Sequence, residues 1–333
     1  MKFRSVNSRC NILAAVALVT TSGGLASGDD GVELSNVPEM MEMFAPGPNV
    51  GEERLPIPKP PAPPKEPSAE HAPVEAPARR LHLTLGVDFT NAYYSRGLRQ
   101  EDRGVIAQPY ATAGLDFYRS DTWNLQAYLG TWNSLHDRKT GSGTNDSTLE
   151  NWYEADAYFG LTAEYESWTL GAQYGWFLSP NDAFTTVQEL QFSASYDDAD
   201  DMGAWALAPN ATLVIETGDG TSDGLDKGAY LQLGIEPGYD FEQSTVESLR
   251  VSAPIIVGLS AWDYYEQAPG EDDFFGFFSV GCKCSIGLTS GEEWGELSAY
   301  AAVNLLVLGD YASQVNDDED TEVVWSVGLA YSY

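Results

Sequence analysis

From Leu81 to Tyr333, apolar and polar residues alternate with a period of two, segment after segment. Successive side chains of a strand point to opposite faces, so this pattern predicts strands with one apolar and one polar face. The last segment is the clearest. Trp325, Val327, Leu329, Tyr331 and Tyr333 share one face, and Ser326, Gly328, Ala330 and Ser332 share the other. Eleven earlier segments read alike, at 81–90, 110–117, 123–130, 153–165, 168–176, 189–196, 205–216, 229–236, 249–260, 277–286 and 296–305. Most have the length of a tilted strand that crosses a bilayer, about 9–11 residues or somewhat more. The polar faces carry Glu, Asp, Gln and Gly, where a soluble sandwich would pack a second apolar layer. Trp and Tyr recur near segment ends, at Tyr93, Trp123, Trp152, Trp168, Trp176, Trp205, Tyr239, Trp262, Trp294 and Tyr311. Such rings bury their bodies and wet their polar edges, as in the aromatic girdles of membrane barrels. Connections alternate between short (119–122, 166–167, 289–293) and long (134–151, 217–227, 263–273, 309–322). The expected fold is all-β: a transmembrane, antiparallel, up-and-down barrel of about 12 strands over 80–333, because only closure satisfies every backbone group in lipid.

The N-terminal part reads differently. Residues 1–28 carry Lys2, Arg4 and Arg9, a short apolar core at 12–20, and small residues near Ala26 and Gly28. That is the pattern of a secretory signal peptide. Cys10 precedes the apolar core, so it is not placed for lipidation after it. Residues 29–79 are acidic and then Pro-rich, with about 11 of the chain's 18 prolines between Pro46 and Pro77. Such a segment stays extended and builds no core. The expectation is a disordered periplasmic spacer, with attachment to the cell wall as one use.

Charge sharpens the picture. The chain has 50 acidic against 17 basic residues, a net charge of −33, which repels phosphate and excludes nucleic acid as a partner. Much of the acid falls on the inward face of the strands, as Asp88, Asp116, Glu154, Asp156, Glu164, Glu189, Glu216, Glu236 and Glu296. The inward bases are Arg250 and Lys283, with Arg96 and Arg99 on the first outer loop and able to fold in beside them. Lumenal carboxylates favour cations. Inward Gly, Ser, Thr and Ala are expected to leave space between these groups. The residues therefore suggest an outer-membrane channel for small polar solutes, cation-preferring, with the named charges lining the pore. Expected partners are outer-membrane lipid and the barrel assembly machinery. The latter would read the C-terminal strand (Trp325, Val327, Leu329, Tyr331, Tyr333), which is similar to known insertion signals in ending on an aromatic. The alternative is a non-conducting barrel that anchors the Pro-rich arm.

Arg96-Gly97-x-x-Gln100, Gln108-Pro109, Gly114-Leu115-Asp116-Phe117-Tyr118 and Gly130-Thr131-Trp132-Asn133-Ser134 follow in an order that resembles the TorF family of outer-membrane porins. The match covers roughly 50 residues and departs in the Pro-rich segment. The resemblance implies an outer-membrane barrel and a channel, and names no solute.

Other chemistry is sparse. His82 at the start of the first strand and His136 in a long loop read as solvated side chains. A remote alternative is an outer-membrane hydrolase, which would need a His beside a Ser on a strand. Asp219, Asp223 and Asp226 lie in a Gly-containing loop that falls short of a calcium-loop spacing, and 316–320 is a plain acidic run. Both read as solvated loops, and no cofactor is expected. Cys282 and Cys284 sit two apart on one strand face, where a bridge between them is geometrically poor. They read as small side chains toward lipid.

Overall fold

The computed structural model describes residues 80–140, 149–222, 224–241, 248–268, 270–289 and 294–333. The expected signal peptide (1–28), the acidic and Pro-rich segment (29–79) and Asp223 lie outside the described residues.

Strands dominate. In chain order they are β1 (Leu81–Thr90), β2 (Tyr93–Ser95), β3 (Leu98–Glu101), β4 (Ile106–Arg119), β5 (Trp123–His136), β6 (Trp152–Tyr165), β7 (Trp168–Leu178) and β8 (Val187–Tyr196). They continue as β9 (Asn210–Glu216), β10 (Ala229–Ile235), β11 (Gly238–Phe241), β12 (Ser248–Ser252), β13 (Ile255–Trp262), β14 (Phe275–Thr289), β15 (Glu296–Leu308) and β16 (Thr321–Ser332). Two short helices intervene, α1 (Ala199–Met202) and α2 (Asp310–Val315).

Sequential strands pair antiparallel around a closed wall. Closure falls between the ends of the chain: β1 pairs with β4 on one side and with β16 on the other. β10 and β11 are two halves of one wall strand, and β12 and β13 are halves of the next. The breaks fall at Pro237 and Pro254, because proline has no N–H to give to the ladder. The wall is stitched across them by the Ala253 N–H to the Pro237 carbonyl and the Gly281 N–H to the Pro254 carbonyl, each 2.9 Å. Counted this way the barrel has twelve wall strands, as the alternation predicts. β2 and β3 are not in the wall; they form a separate hairpin.

The two faces of the wall differ as the sequence requires. Along β16, Trp325, Val327 and Leu329 are exposed outward, while Ser326, Ala330 and Ser332 are buried inward. Leu85, Phe89, Leu115, Leu129, Phe159, Leu161, Leu170, Phe192, Leu233, Val303 and Leu305 extend the apolar surface around the barrel. Val323 to Tyr333 is ten residue steps, or about 26 Å of height at ~3.4 Å per residue and a tilt of ~40°. Paired aromatics mark the end that holds the termini: Trp123 with Tyr165 at 4.5 Å and Trp168 with Tyr196 at 4.9 Å. Cys282 is exposed and Cys284 partly so; both are free thiols.

The interior is fuller than expected. Several inward glycines do not leave open space; Gly86, Gly130, Gly160 and Gly258 seat rings, and Gly114 and Gly234 seat the side chains of Gln126 and Asn210. A Cβ on Gly86 would lie 2.2 Å from the Tyr110 ring, one on Gly130 2.4 Å from Tyr158, and one on Gly160 2.3 Å from the Tyr128 hydroxyl. The Tyr158 hydroxyl reaches Thr112 at 2.7 Å, and the Tyr128 hydroxyl donates to Gln173 at 3.1 Å. Rings tiled over glycines thicken the wall inward and narrow the lumen.

Two local expectations fail. The strand expected over 205–216 begins only at Asn210. Before it, α1 and a short 3-10 turn close on the Asp198 carboxylate, which accepts the N–H groups of Leu207 and Ala208 at 3.0 and 2.9 Å. The lapse in strict alternation between Leu207 and Ala211 is its trace. Tyr93, expected at an outer strand end, instead opens the hairpin inside the barrel.

Candidate functional site

The hairpin β2–β3 turns at Arg96 and Gly97, both at positive φ. Gly97 supplies a left-handed conformation at no steric cost. Its missing side chain also admits Phe277, whose ring would stand 3.0 Å from a Cβ there. The hairpin follows β1 at the end away from the termini and folds into the barrel instead of out of it. The Tyr93 hydroxyl donates to Glu154 on β6 at 2.9 Å, while Gly97 packs on Phe277 of β14, six wall strands away. The hairpin therefore crosses the lumen.

An apolar cluster drives this. Tyr94 and Leu98 of the hairpin are buried with Tyr230, Tyr264, Tyr265, Phe277, Leu306, Tyr311, Ala312 and Val324. Apolar burial of this kind contributes about 25 cal/mol per Å2. These residues come from the wall, from the loop before β14 and from α2, so three far-end elements meet on the hairpin.

Polar contacts then fix its position. Arg96 is buried and makes a two-pronged ion pair with Glu189 of β8. It also donates to the Tyr264 hydroxyl at 2.6 Å, and its guanidinium lies 5.3 and 5.4 Å from the rings of Tyr230 and Tyr264. Burial works against its charge, but Glu189 and Tyr264 outweigh it and hold Arg96 well above the ordinary arginine range. The Tyr265 hydroxyl donates to the Arg96 carbonyl at 2.9 Å. On the other side, Asn316 is fully buried. Its Nδ2 donates to the Gly97 carbonyl at 2.7 Å, and its Oδ1 accepts the Arg99 N–H at 2.8 Å. Arg99 pairs with Asp317. The acidic run 316–320, expected as a solvated loop, thus begins as a clasp on the hairpin.

A third anchor is a chain of side chains at the end of β3. Thr140 donates to Glu101 at 2.6 Å. Its single proton is then committed, so its lone pair faces His136 Nδ1–H at 2.6 Å. His136 Nε2 is left to accept from Ser134 Oγ at 2.8 Å. His136 is therefore no solvated loop residue; it ends β5 and points inward, buried and stacked on Tyr153 at 4.9 Å. A His does sit beside a Ser on a strand, but Ser134 is fully buried, and the chain ties the hairpin to the wall. Burial works to raise the Glu101 carboxyl, yet the hydrogen bonds from Thr140 and from the N–H groups of Asp102 and Arg103 hold it below the usual carboxylate range.

The remaining expected pore residues divide. Glu154, Asp156, Glu189 and Glu216 lie on β6, β8 and β9, one stretch of wall, and Arg250 and Lys283 on β12 and β14, two and three wall strands beyond β9. Arg96, expected to fold in beside those bases, reaches the acids instead. Glu216 is occupied with its own loop, accepting the N–H groups of Ser222 and Gly228 at 2.6 and 2.9 Å. Arg250 donates to Asp240 at 2.8 Å, and Lys283 sits 5.4 Å from the Tyr300 ring. Asp88 and Tyr300 both lean over Gly328. Asp116 meets His82 at 3.1 Å and also Arg119, so His82 is a partly buried partner and not a free side chain. Glu164 accepts from Asn124 at 3.1 Å, Glu236 accepts from Ser252 at 2.6 Å, and Glu296 begins β15. Asp219 and Asp226 are exposed, and among the described residues no three His, Cys, Asp or Glu side chains gather as a metal site.

Sequence reasoning identified Arg96 and Arg99 but missed the cage and clasp that receive them, Tyr230, Tyr264, Tyr265 and Asn316. No periodicity marks Tyr264, Tyr265 and Asn316, which stand outside the strands, and alternation places Tyr230 on an inward face without saying what it meets.

No protein-family model matches the chain, and no curated relative matches it. Several solved structures resemble it distantly. An outer membrane channel from Pseudomonas putida F1 is 12% identical over 79% of this chain and 100% of its own, with a TM-score of 0.44. A bacterial polysaccharide outer membrane secretin is 12% identical over 76% of this chain and 98% of its own, at 0.40. The NanC porin is 10% identical over 74% and 98%, at 0.38. Likeness at this level carries no argument, and function has to be argued from the chain's own residues.

Proposed function

We infer that this chain is an outer-membrane channel of the porin kind, passing small polar solutes through a lumen that its own hairpin narrows. One observation carries the reading: the element that fills the far half of the barrel is a hairpin outside the wall, held by side-chain contacts that can open without breaking any wall strand pairing. The apolar exterior, about 26 Å tall, suits the ~25 Å apolar band of an outer-membrane barrel. With the termini periplasmic, the hairpin lies at the outer mouth. The motifs that resemble the TorF family support the reading, because Arg96, Gly97 and Gln100 belong to the hairpin, and Trp132 and Ser134 to the wall it meets. The Tyr93 and Trp132 rings stand 5.3 Å apart. Membrane lipid, the assembly machinery acting on the Trp325–Tyr333 face, and the cell wall through the Pro-rich arm complete the proposed partners.

Glu189 is paired with Arg96 and Arg250 with Asp240, so Asp88, Glu154, Asp156 and Glu216 against Lys283 give the lumen an acidic balance and a proposed cation preference. The test is conductance of refolded protein in a planar bilayer, with reversal potential in a salt gradient. The expected result is a channel selective for cations whose selectivity weakens toward 1 M salt, where the Debye length is about 3 Å. Replacing Glu154→Gln, Asp156→Asn and Glu189→Gln together shifts it toward neutrality. Anion preference in the native chain overturns the assignment of these acids.

A second reading, an anchoring barrel that does not conduct, is favoured by the interior itself. Tyr128, Tyr230, Tyr264, Tyr265 and Phe277 are all buried within it. Silence in the bilayer both for the native chain and for one with 93–101 replaced by a short Gly-Ser turn would establish that reading instead.

A further inference from the structure

We propose that the cage around Arg96 is a binding site for solutes that end in a guanidinium group, kept occupied by the chain's own arginine until the hairpin moves. The proposal rests on the channel reading and names the class of solute the channel would select. Four features define the site. Glu189 presents one carboxylate oxygen to each of the two terminal nitrogens of Arg96. Two-pronged pairing of this kind fits guanidinium and not ammonium. The Tyr264 hydroxyl accepts a third bond, at 2.6 Å. The rings of Tyr230 and Tyr264 stand 5.3 and 5.4 Å from the guanidinium carbon, within cation–π range. Gln191 donates to the Glu189 carboxylate at 3.1 Å and so orients it.

The cage reads the end of the side chain and not its stem. Arg96 Nε is buried and makes no hydrogen bond among the described residues, whereas both terminal nitrogens are bonded. A free solute with the same terminus therefore meets the same partners and forgoes nothing that the stem supplied. All the cage residues belong to the wall or to the loop before β14. Withdrawal of the hairpin leaves Glu189, Gln191 and Tyr230 in place on their strands, with a carboxylate facing the lumen. A guanidinium solute arriving there competes with Arg96 and, by occupying the cage, favours the withdrawn hairpin.

The experiment uses the refolded full chain and its Arg96→Ala variant, with methylguanidinium chloride as probe. Retained heat-modifiability on gels shows that each variant is folded. Saturable binding by calorimetry is expected for R96A in the millimolar range. Binding at least tenfold weaker is expected for the native chain, whose cage is filled, and for R96A with E189Q. Tetramethylammonium, which cannot pair with both oxygens, should bind R96A at least tenfold more weakly than methylguanidinium. Should R96A not fold, R96K carries the test, since an ammonium keeps the charge but lacks the fork and should yield the cage tenfold more readily than arginine. Equal binding to R96A and to R96A with E189Q, or none to a folded R96A, overturns the proposal. Block of the R96A conductance by methylguanidinium is read separately. Conductance without binding defeats this inference alone, and binding in a barrel that never conducts defeats the channel reading alone.

Discussion

Glu101 shows how much one carboxylate can hold. It accepts from Thr140, itself linked to His136 and Ser134, and from two backbone N–H groups of its own turn. These bonds favour the charged form and keep its carboxyl below the ordinary range despite burial. The sign follows. A group depressed in the folded state stabilises above its unfolded value, near 4.3 for glutamate, and that contribution fades as pH falls through the lower folded value. Protection against amide exchange across 93–103, corrected for the intrinsic pH dependence of the exchange reaction, should therefore be steady from about pH 7 to 5 and should fall below about 4. In Glu101→Gln protection should be weaker at neutral pH and less dependent on acid. An identical acid response in the variant would remove Glu101 from the clasp. Little of this chain of side chains was legible beforehand. His136 stands at i+2 from Ser134, which places both on one strand face, but nothing local says that Thr140 and Glu101 meet there.

At the scale of the element, the strands were the legible part. Alternation is a local property, written into each segment, and twelve such segments became twelve wall strands. The sequence did not mark the breaks at Pro237 and Pro254 as breaks, because the residues on either side keep the pattern. Nor did it mark α2, whose Tyr311 and Ala312 are buried by the hairpin cluster and not by any face of a sheet. The β16 face gives a direct test. Leu329 points outward and Ser332 inward. Charge on the lipid face near mid-membrane costs about 2–4 kcal/mol for Lys or Arg and less for Asp, whereas the interior already holds polar groups. Leu329→Asp should fail to assemble and remain unshifted on unboiled gels, while Ser332→Asn assembles as the native chain does. Equal assembly of the two would reverse the orientation of the strand.

Across the whole molecule the division is between a wall made of neighbours and a filling made of strangers. Each wall pairing joins segments adjacent in the chain, except the one that closes the ring. The hairpin contacts are of the opposite kind. Arg96 and Glu189 lie 93 residues apart, and the Asn316 bond to Gly97 spans 219. This is why the barrel could be read from its sequence and its plug could not. A clasp between residues near the first and last wall strands also imposes an order in time. Asn316 sits between β15 and β16, so it is brought to Gly97 only when β16 has met β1 and the ring is complete. A cysteine at Leu98, in a chain whose Cys10, Cys282 and Cys284 are alanine, should thus stay open to alkylation during refolding until the heat-modifiable form appears, and become protected no sooner. Protection that precedes ring closure would mean the hairpin docks on a half-built wall. Protection that comes last would mean that the barrel forms hollow and is stoppered only at the end, an open cylinder for as long as it assembles.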